Sequence, residues 1–320
     1  MGMDNFSGRI RAVTTPLPGS RPYTNERLFS VKGQFDGWTL IDFLTSFLPH
    51  LSKDHWLYAI ENKLLLIDGA TPWPGQVVKA GQRLVHIIPN TVDPDVNSNI
   101  SLIYDDNCMV VLNKPAPIPM HACGRFHRNT LLNILNTAFP EEVFKIVHRL
   151  DADTTGIVVF AKDAKTATSL GRQFKERTTQ KTYLAITTGI IEDDELVCTV
   201  GIGTKKTAGG GREVDDAGRA SETIVKVLKR DYELNQTLLQ VEPKSGRTNQ
   251  IRIHLASLGH PITGDDHYSQ KVKIDRPLTL EEDALCLHAW KLRLSHPATG
   301  ESIEFTAEPP NKFNNFFDIF

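Results

Sequence analysis

The sequence has no long hydrophobic run, few cysteines and no excess of positive charge, and each absence excludes a class of protein. No apolar run in the 320 residues approaches the roughly 18–20 residues that a membrane helix needs. Residues 1–22 lack the apolar core of a secretory signal, so we expect a cytoplasmic protein. The 4 cysteines form no Cys-x-x-Cys pair, which predicts buried, reduced thiols in a reducing compartment.

The formal net charge of −2 excludes a globally basic nucleic-acid-binding protein, so any contact with nucleic acid must use locally concentrated charge. A solvated surface explains any single basic cluster. Three clusters next to candidate functional segments favour an anionic partner instead. They are Arg172, Lys175, Arg177 and Lys181; Lys205, Lys206 and Arg212; and Lys244, Arg247 and Arg252.

Changes in composition along the chain, with Pro-, Asp- and Asn-containing segments between periodic ones, predict one small and one large domain. Residues 1–27 hold Pro, Gly, Ser and Arg without periodicity, which indicates an extended or poorly ordered arm. Residues 28–90 predict two short helices, the second capped by Ser52, followed by a small hairpin. Residues 91–99 contain Pro94 among Asp and Asn residues and form the predicted linker to a domain over 100–320.

The pattern of the large domain favours an α+β class. Helices are predicted near 131–138, 164–174 and 251–258, and strand-like runs fill most of the remaining sequence. Hairpin-like connections outnumber clean strand–helix–strand units. We therefore expect a large mixed sheet flanked by helices and loops.

One short segment, residues 148–156, carries most of the functional information. It reads His-Arg-Leu-Asp-Ala-Asp-Thr-Thr-Gly and separates the apolar runs 144–147 and 157–160. A turn of this composition can hold Asp151 over a pocket with Arg149 two residues upstream. The segment resembles the catalytic loop of RluA-type pseudouridine synthases, except that Thr155 stands where the family has serine.

Three further segments resemble the same family in the expected order. Residues 113–115 with 124–131 resemble its entry region, and 181–185 its aromatic motif. Residues 245–255, continued by 259–265, resemble its third motif, with Asn249 in place of the usual histidine. The resemblance implies the pseudouridine synthase fold, with a mostly antiparallel sheet, and a monomer without cofactor or membrane attachment.

Residues 28–90 resemble the αL, S-four-like RNA-binding domain that often precedes this catalytic domain. The typical basic residue of its first helix is missing, because 39–42 reads Thr-Leu-Ile-Asp. Lys53, Lys63, Lys79 and Arg83 are the candidate phosphate contacts. A structural subdomain that no longer binds RNA is the alternative.

The resemblance also implies a reaction and the residues that perform it. A uridine of ribosomal or transfer RNA loses its N1–C1′ glycosidic bond, and C5 is joined to C1′. Asp151 is the implied catalytic carboxylate, acting as nucleophile or as base. Arg252 is its implied partner and Tyr183 the platform for the uracil. The implied RNA contacts are Arg149, which fills the gap left by the extruded nucleotide, and Arg125, Lys181, Arg247 and Gln250; the last two alternatively only shape the motif.

Three other interpretations of the sequence are possible. Thr155 and Asn249 are compatible with a catalytically silent RNA-binding or ribosome-assembly protein on the same scaffold. His254, His260, Asp265 and His267 offer metal-ligand chemistry for a hydrolase, but their spacing fits no familiar zinc pattern. The glycine-rich stretch 201–211 does not complete a phosphate-binding motif, and we interpret it as a mobile RNA-facing loop.

Overall fold

The computed structural model describes residues 2–205, 207, 211–269 and 285–319. Lys206 and the glycines at 209 and 210, which belong to the predicted RNA-facing loop, lie outside the described residues. The chain forms two compact units, Gly19–Asp93 and a larger one made of Met1–Pro18 with Pro94–Phe320. No helix in the described part of the chain is long and apolar enough to cross a membrane.

The helices and strands follow one another along the chain with short connections. The helices are α1 (Met3–Thr14), α2 (Leu40–Phe47), α3 (Lys53–Glu61), α4 (Leu131–Ala138), α5 (Ala164–Glu176) and α6 (Gln250–Ser257). The strands are β1 (Tyr23–Ser30), β2 (Leu65–Ile67), β3 (Arg83–Thr91), β4 (Ser101–Asp105), β5 (Met109–Lys114), β6 (Lys145–Ile146), β7 (Thr155–Ala161), β8 (Gln180–Thr188), β9 (Glu195–Cys198), β10 (Thr223–Asp231), β11 (Gln236–Pro243), β12 (Leu287–Ser295) and β13 (Ser302–Thr306).

The predicted N-terminal arm is wrong, because this segment folds. Phe6 and Ile10 lie on one face of α1 and are buried in the core that also contains α4. The ring of Phe6 stacks on Phe139 at 5.3 Å between centroids, and Arg9 forms an ion pair with Glu141. A short helix with few apolar residues is marginal alone and depends on such packing, which explains why local periodicity did not reveal it.

The small unit contains the two predicted helices and an antiparallel sheet in the order β1-β3-β2. Strand β1 occupies residues that had been assigned in part to the arm, so this unit begins earlier than predicted. The predicted cap is confirmed, because the Ser52 hydroxyl accepts the backbone N–H of His55 at 3.1 Å. Trp56 and Phe43 are fully buried and anchor the core between the helices and the sheet.

The large unit is built on one mixed, mostly antiparallel sheet, as predicted. Its strand order is β4-β5-β7-β12-β8-β11-β10-β9, with β13 paired to β12 and β6 paired to β7. Among the described strands, only β7 and β12 pair in parallel. Strand β12 therefore lies between the strand that follows the 148–154 loop and β8, which carries Tyr183.

The centre of this sheet is covered on both faces. In β5, Val110 and Leu112 belong to one hydrophobic cluster, whereas Met109 and Val111 belong to another. Every residue of β7 is buried, which explains its uninterrupted apolar sequence. The loop that enters β7 is thus attached to a fully buried central strand.

The cysteine prediction holds only in part. All four are free thiols, but only Cys198 and Cys286 are buried. Cys108 is half-buried and Cys123 is exposed. Isolated spacing therefore predicted the absence of disulfides correctly but did not predict burial.

Candidate active site

The first residue of the 148–156 loop is attached to β7. The Nε2 atom of His148 accepts the backbone N–H of Val159 at 3.0 Å, and its ring stacks on Phe174 at 4.4 Å between centroids. Burial, and to a lesser extent the charge of Lys181, lowers the pKa of His148 to about 3. The imidazole is neutral at physiological pH, as its acceptor role requires.

Lys114 holds the middle of the loop. Its side chain is fully buried, and Nζ donates to the carbonyls of Pro115, Ile118 and Ala152 at 2.9, 3.0 and 2.9 Å. Burial lowers the pKa of Lys114 to about 7, although the carboxylates of Asp153 and Asp151 oppose this shift. The backbone next to Asp151 is therefore fixed from beneath.

The last residue of the loop must be glycine. Gly156 has φ +110°, and a Cβ there would lie 2.3 Å from the carbonyl oxygen of Ala289. This close approach arises where β7 and β12 begin their parallel pairing. No side chain fits between the two backbones at this point.

Thr155 keeps the interaction that a serine hydroxyl would make. The Nε2 atom of His288 lies 3.2 Å from the carbonyl oxygen of Ala307, so this nitrogen donates and Nδ1 is free to accept. The hydroxyl of Thr155 lies 2.8 Å from that Nδ1. Burial lowers the pKa of His288 to about 4, which keeps the ring neutral. The departure from the family pattern adds a methyl group but leaves the loop anchored.

The loop presents Asp151 to Arg252, which α6 supplies. Nη1 of Arg252 lies 3.6 Å from Oδ2 of Asp151, and their side chains are 13% and 40% exposed. This separation is an ion pair but exceeds an ordinary charge-assisted hydrogen bond. Asp151 is therefore next to a cation while its carboxylate remains accessible from the cleft.

Asp265 is the principal partner of Arg252. Nε and Nη2 of the guanidinium donate to its two carboxylate oxygens at 2.7 and 2.8 Å, and the Asp265 side chain is 0% exposed. The Tyr268 ring lies 5.1 Å from Cζ of Arg252. Burial alone disfavours the charged form, but the bonds and charge of Asp265, with the charge of Asp151, raise the pKa of Arg252.

Sequence reasoning did not assign this role to Asp265. It grouped the residue with candidate metal ligands, although the family motif that contains Arg252 continues through Gly264-Asp265. That continuation was the available signal. The 13-residue separation follows neither helical nor strand periodicity, so only the fold shows the pairing.

Tyr183 projects from β8 into the same cleft. Burial, and secondarily the nearby charge of Asp151, raises the pKa of its phenol. The hydroxyl is therefore protonated at neutral pH. Tyr183 also packs against both hydrophobic clusters that meet at this strand, which fixes the ring.

Asn249 departs from the family pattern at a strained position. It is the N-cap of α6 with φ +56°, in the left-handed region, and asparagine adopts this conformation more readily than most residues. Its Nδ2 donates to the hydroxyl of Tyr268 at 2.9 Å. This departure thus supports the ring that packs against Arg252.

A cleft of about 800 Å³ contains Asp151, Arg252 and Tyr183. Of the predicted RNA contacts, the cleft wall includes Arg149, Lys181, Arg247 and Gln250. The cleft thus joins residues from widely separated parts of the sequence, from Pro119 to Leu287. Other residues that line it are Pro119, Met120, His121, Cys123, Phe174, Lys175, Ser245, Gly246, Thr248 and Asn249.

Two predicted RNA contacts are placed differently from the exposed or half-buried cations of the cleft wall. Arg125 lies on an exposed turn outside the cleft wall. Gln250 is 3% exposed: its Oε1 accepts from the Ser245 hydroxyl and the Arg247 N–H, and its Nε2 donates to Glu222 O and Thr223 Oγ1. Its hydrogen-bonding capacity is used inside the protein. Gln250 shapes the turn before α6, the alternative that the sequence had left open.

Two of the four candidate metal ligands, Asp265 and His254, bind other protein groups. Asp265 binds Arg252, and Nε2 of His254 lies 3.0 Å from the Ser221 hydroxyl and 3.2 Å from Val200 O. These contacts engage the two groups in separate hydrogen-bond networks. The four residues therefore do not behave as one ligand set.

A different group, Asp106, Cys108 and His296, places potential ligand atoms within 4.8 Å of one another. Nδ1 of His296 accepts the backbone N–H groups of Ala298 and Thr299, both at 3.3 Å. The ring proton consequently lies on Nε2 and is donated to Asp106 at 2.7 Å. Nε2 has no lone pair left for a metal ion.

Comparison with known proteins identifies the family of the chain. The family model described as RNA pseudouridylate synthase matches residues 108–257. Ribosomal large subunit pseudouridine synthase D of Nitrosomonas europaea is 31% identical over 92% of this chain and 87% of its own length. The chain belongs to the RluA-type RNA pseudouridine synthases. An uncharacterized RNA pseudouridine synthase of Aquifex aeolicus is also 31% identical, over 90% of this chain and 95% of its own.

Solved structures of the RNA pseudouridine synthase family share the fold. Human RNA Pseudouridylate Synthase Domain Containing 1 matches with a TM-score of 0.56 and 29% identity, over 68% of this chain and 87% of that one. The enzyme is thus an RNA pseudouridine synthase, an isomerase. The family match spans Asp151, Tyr183 and Arg252.

Proposed function

We propose that this pseudouridine synthase isomerises uridine in structured ribosomal RNA and that Asp151 is its catalytic carboxylate. The observation that carries this proposal is the position of Asp151: a fixed loop holds it in the cleft, 3.6 Å from Arg252 and near the Tyr183 ring. Ribosomal RNA is favoured over transfer RNA because relatives in Nitrosomonas europaea and Pseudomonas aeruginosa are named for the ribosomal large subunit.

The reaction needs a group that assists cleavage at C1′ of the ribose. The N1–C1′ bond breaks, the freed uracil turns, and C5 bonds to C1′. The C5 proton is then lost and N1 carries a proton in the product, so atoms balance without an oxidant or a cofactor. A carboxylate can assist as a nucleophile at C1′ or as a base toward the sugar. The accessible carboxylate of Asp151 suits either role.

Arg252 and Tyr183 act on different parts of this reaction. Arg252 stabilises the negative charge of Asp151 from a distance that leaves the carboxylate accessible. Tyr183 provides a fixed ring on which the detached uracil stacks. Because its pKa is raised, the phenol is a hydrogen-bond donor at neutral pH and does not remove the C5 proton as a phenolate.

RNA recognition is proposed to use exposed cations in both units. Arg149 is exposed at the cleft and occupies the space from which the uridine is extruded. In the small unit, Lys53, Lys63, Lys79 and Arg83 are exposed and provide phosphate contacts for the S-four-like domain.

Replacing Asp151 by Asn tests the proposal. The change preserves size and removes the carboxylate charge, so turnover should fall by about 10³-fold or more while RNA affinity remains within about threefold. Site-resolved mass spectrometry would follow pseudouridine in ribosomal RNA taken from cells that lack the protein. The matched control is Asp193→Asn, an exposed acid outside the cleft wall. Undiminished turnover in Asp151→Asn would contradict the proposed role.

A further inference from the structure

The chain between β5 and α4 forms one side of the cleft. It contributes Pro119, Met120, His121 and Cys123 to the lining. The backbone N–H of Ile118 donates to the carbonyl of Ala152 at 3.1 Å, next to Asp151. The carbonyls of residues 119 and 120 accept N–H groups from the first turn of α4 at 2.9 and 3.1 Å. This wall is therefore bound both to the 148–156 loop and to α4, and the backbone at His121 is fixed.

His121 brings an unused nitrogen to this wall. It is half-buried, and neither ring nitrogen has a hydrogen-bond partner in the described part of the chain. Nδ1 is buried, whereas Nε2 remains accessible from the cleft. A buried N–H without a partner is rarer in proteins than a buried acceptor without one. The neutral ring therefore carries its proton on Nε2 and presents an N–H donor to the cleft.

The other uncharged imidazole and amide side chains of the wall are already engaged. Nε2 of His148 accepts a backbone N–H, and Nδ2 of Asn249 donates to a tyrosine hydroxyl. Both ends of the Gln250 amide are hydrogen-bonded inside the protein. Among the described side chains of these two types in the wall, His121 is the one left to bind a substrate.

The proposed reaction needs a donor at the edge of the base. When the N1–C1′ bond breaks, its electron pair stays on N1 and is delocalised onto the carbonyl oxygens O2 and O4 of the uracil. A donor that is fixed at one of these oxygens stabilises the charge as it develops. Tyr183, as the platform, contacts the face of the uracil, which leaves the carbonyl edge to another group. Asp151 is an acceptor and cannot serve there.

We propose that Nε2 of His121 donates a hydrogen bond to a carbonyl oxygen of the target uracil and so acts as a further catalytic residue. This proposal rests on the function proposed above, because Asp151 and Tyr183 of the same cleft hold the reacting nucleotide. The imidazole keeps its proton throughout. Its donor stabilises the detached base and limits how far the base turns before C5 reaches C1′.

Three replacements of His121 separate a donor from a structural ring. His121→Phe keeps an aromatic ring without nitrogen, so the single-turnover rate should fall about 100-fold while RNA affinity stays within about threefold. His121→Gln places an amide N–H near the position of Nε2 and should retain the rate within about fivefold, whereas the shorter His121→Asn should not. Thermal unfolding of every variant identifies any loss of fold.

A second histidine provides the matched control. His260 is half-buried, as His121 is, but does not line the cleft. His260→Phe makes the same chemical change outside the cleft wall, and its single-turnover rate should remain within about twofold of the parent. Equal rates for His121→Phe and the parent would overturn the proposal, and so would equal losses in His121→Phe and His260→Phe.

Sulfur substitution in the RNA identifies the oxygen that His121 contacts. RNA fragments carry 2-thiouridine or 4-thiouridine at the converted position, because sulfur is a weaker hydrogen-bond acceptor than oxygen. At the contacted position the sulfur should slow the parent but cause little further loss in His121→Phe. Fully additive effects at both positions would overturn the contact. Failure of the proposed function would instead appear as undiminished turnover in Asp151→Asn, whatever the His121 variants show.

Discussion

Two arginines in the third motif, five positions apart, have opposite electrostatic surroundings. Arg252 is held by both oxygens of Asp265 and lies beside Asp151, and its pKa is raised. Arg247 has no acidic partner in the described structure, and burial, followed by the charges of Arg177 and Arg219, lowers its pKa. Both side chains line one cleft.

Arg252 thus has carboxylate partners within the protein, whereas Arg247, which lines the same cleft, has none in the described structure. Arg252 and its acids form a network that the protein satisfies internally, which suits a group that must keep a fixed position during chemistry. Arg247 has no such carboxylate among the described residues, and its buried Nε has no hydrogen-bond partner. A single basic motif therefore serves two physical purposes, and its residues respond differently to substitution.

The largest effect should follow from removing the carboxylate that is hydrogen-bonded to Arg252. Arg252 would then, like Arg247, have no carboxylate in hydrogen-bond contact. Asp265→Asn removes the carboxylate that holds the guanidinium, so we expect kcat to fall about 100-fold through misplacement of Arg252. Breaking this buried pair should also lower the free energy of unfolding by about 3–5 kcal/mol. Single-turnover kinetics and denaturant unfolding measure the two effects.

The adjacent exposed acid provides the control for that prediction. Asp266→Asn removes the same charge one residue later and should change neither quantity measurably. Equal activities of the Asp265 and Asp266 variants would show that Arg252 does not depend on its buried partner.

The reverse experiment places a carboxylate next to Arg247, as Asp265 is next to Arg252. Ala220 is exposed and its carbonyl faces Arg247, so Ala220→Glu places a carboxylate near the unpaired guanidinium. We expect RNA affinity to fall about 3- to 10-fold with a smaller salt slope, because the positive charge of the cleft wall is then partly neutralised. Ala217→Glu adds the same charge at another exposed position and should have a smaller effect. Identical effects of the two variants would indicate a general rather than a local charge effect.

The loop that presents Asp151 to Arg252 should also respond to acid. His148 has a pKa lowered to about 3, so between about pH 6.5 and 3 the unfolded chain binds a proton that the folded chain does not. Folding stability contributed by the neutral ring is therefore lost as pH falls, by about 1.4 kcal/mol per pH unit at most. His148→Gln retains an acceptor for Val159 N–H and should flatten this part of the stability–pH curve, measured by urea unfolding. A curve as steep as that of the parent would assign the acid sensitivity to other groups.

The smallest effect should come from restoring the family residue in this loop. Thr155→Ser keeps the hydroxyl opposite His288, so activity should remain within about twofold. Thr155→Val has the same shape without the hydroxyl and should lower the unfolding free energy by about 1–2 kcal/mol. Comparable stability of Val and Ser variants would show that the hydroxyl does not anchor the loop.

Local sequence patterns predicted the helices and strands that have a capping residue, regular apolar spacing or a continuous apolar run. Helix α4 has the predicted bounds because Thr130 caps it and its apolar residues follow helical spacing. The fully apolar β7 was equally clear. Helix α1 was missed because its burial depends on residues more than 100 positions away, as the pairing of Arg9 with Glu141 illustrates.

The motifs predicted the identities of the candidate site residues. They did not predict the tertiary contacts that those residues make. The motifs brought Asp151, Tyr183 and Arg252 together, and the structure places all three in one cleft. They did not show that Gln250 faces the interior, since a motif records identity and not direction. They also did not show Asp265 as the clamp of Arg252, because that contact depends on the turn after α6.

The two-point grip of Asp265 on Arg252 has a consequence for repeated turnover. In the proposed reaction the Asp151 carboxylate leaves its resting geometry and later returns to it. Because Asp265 accepts from Nε and Nη2 on one edge of the guanidinium throughout, this departure does not release the arginine side chain. Only the short side chain of Asp151 must move back to restore the resting arrangement. The long side chain of Arg252 stays in place.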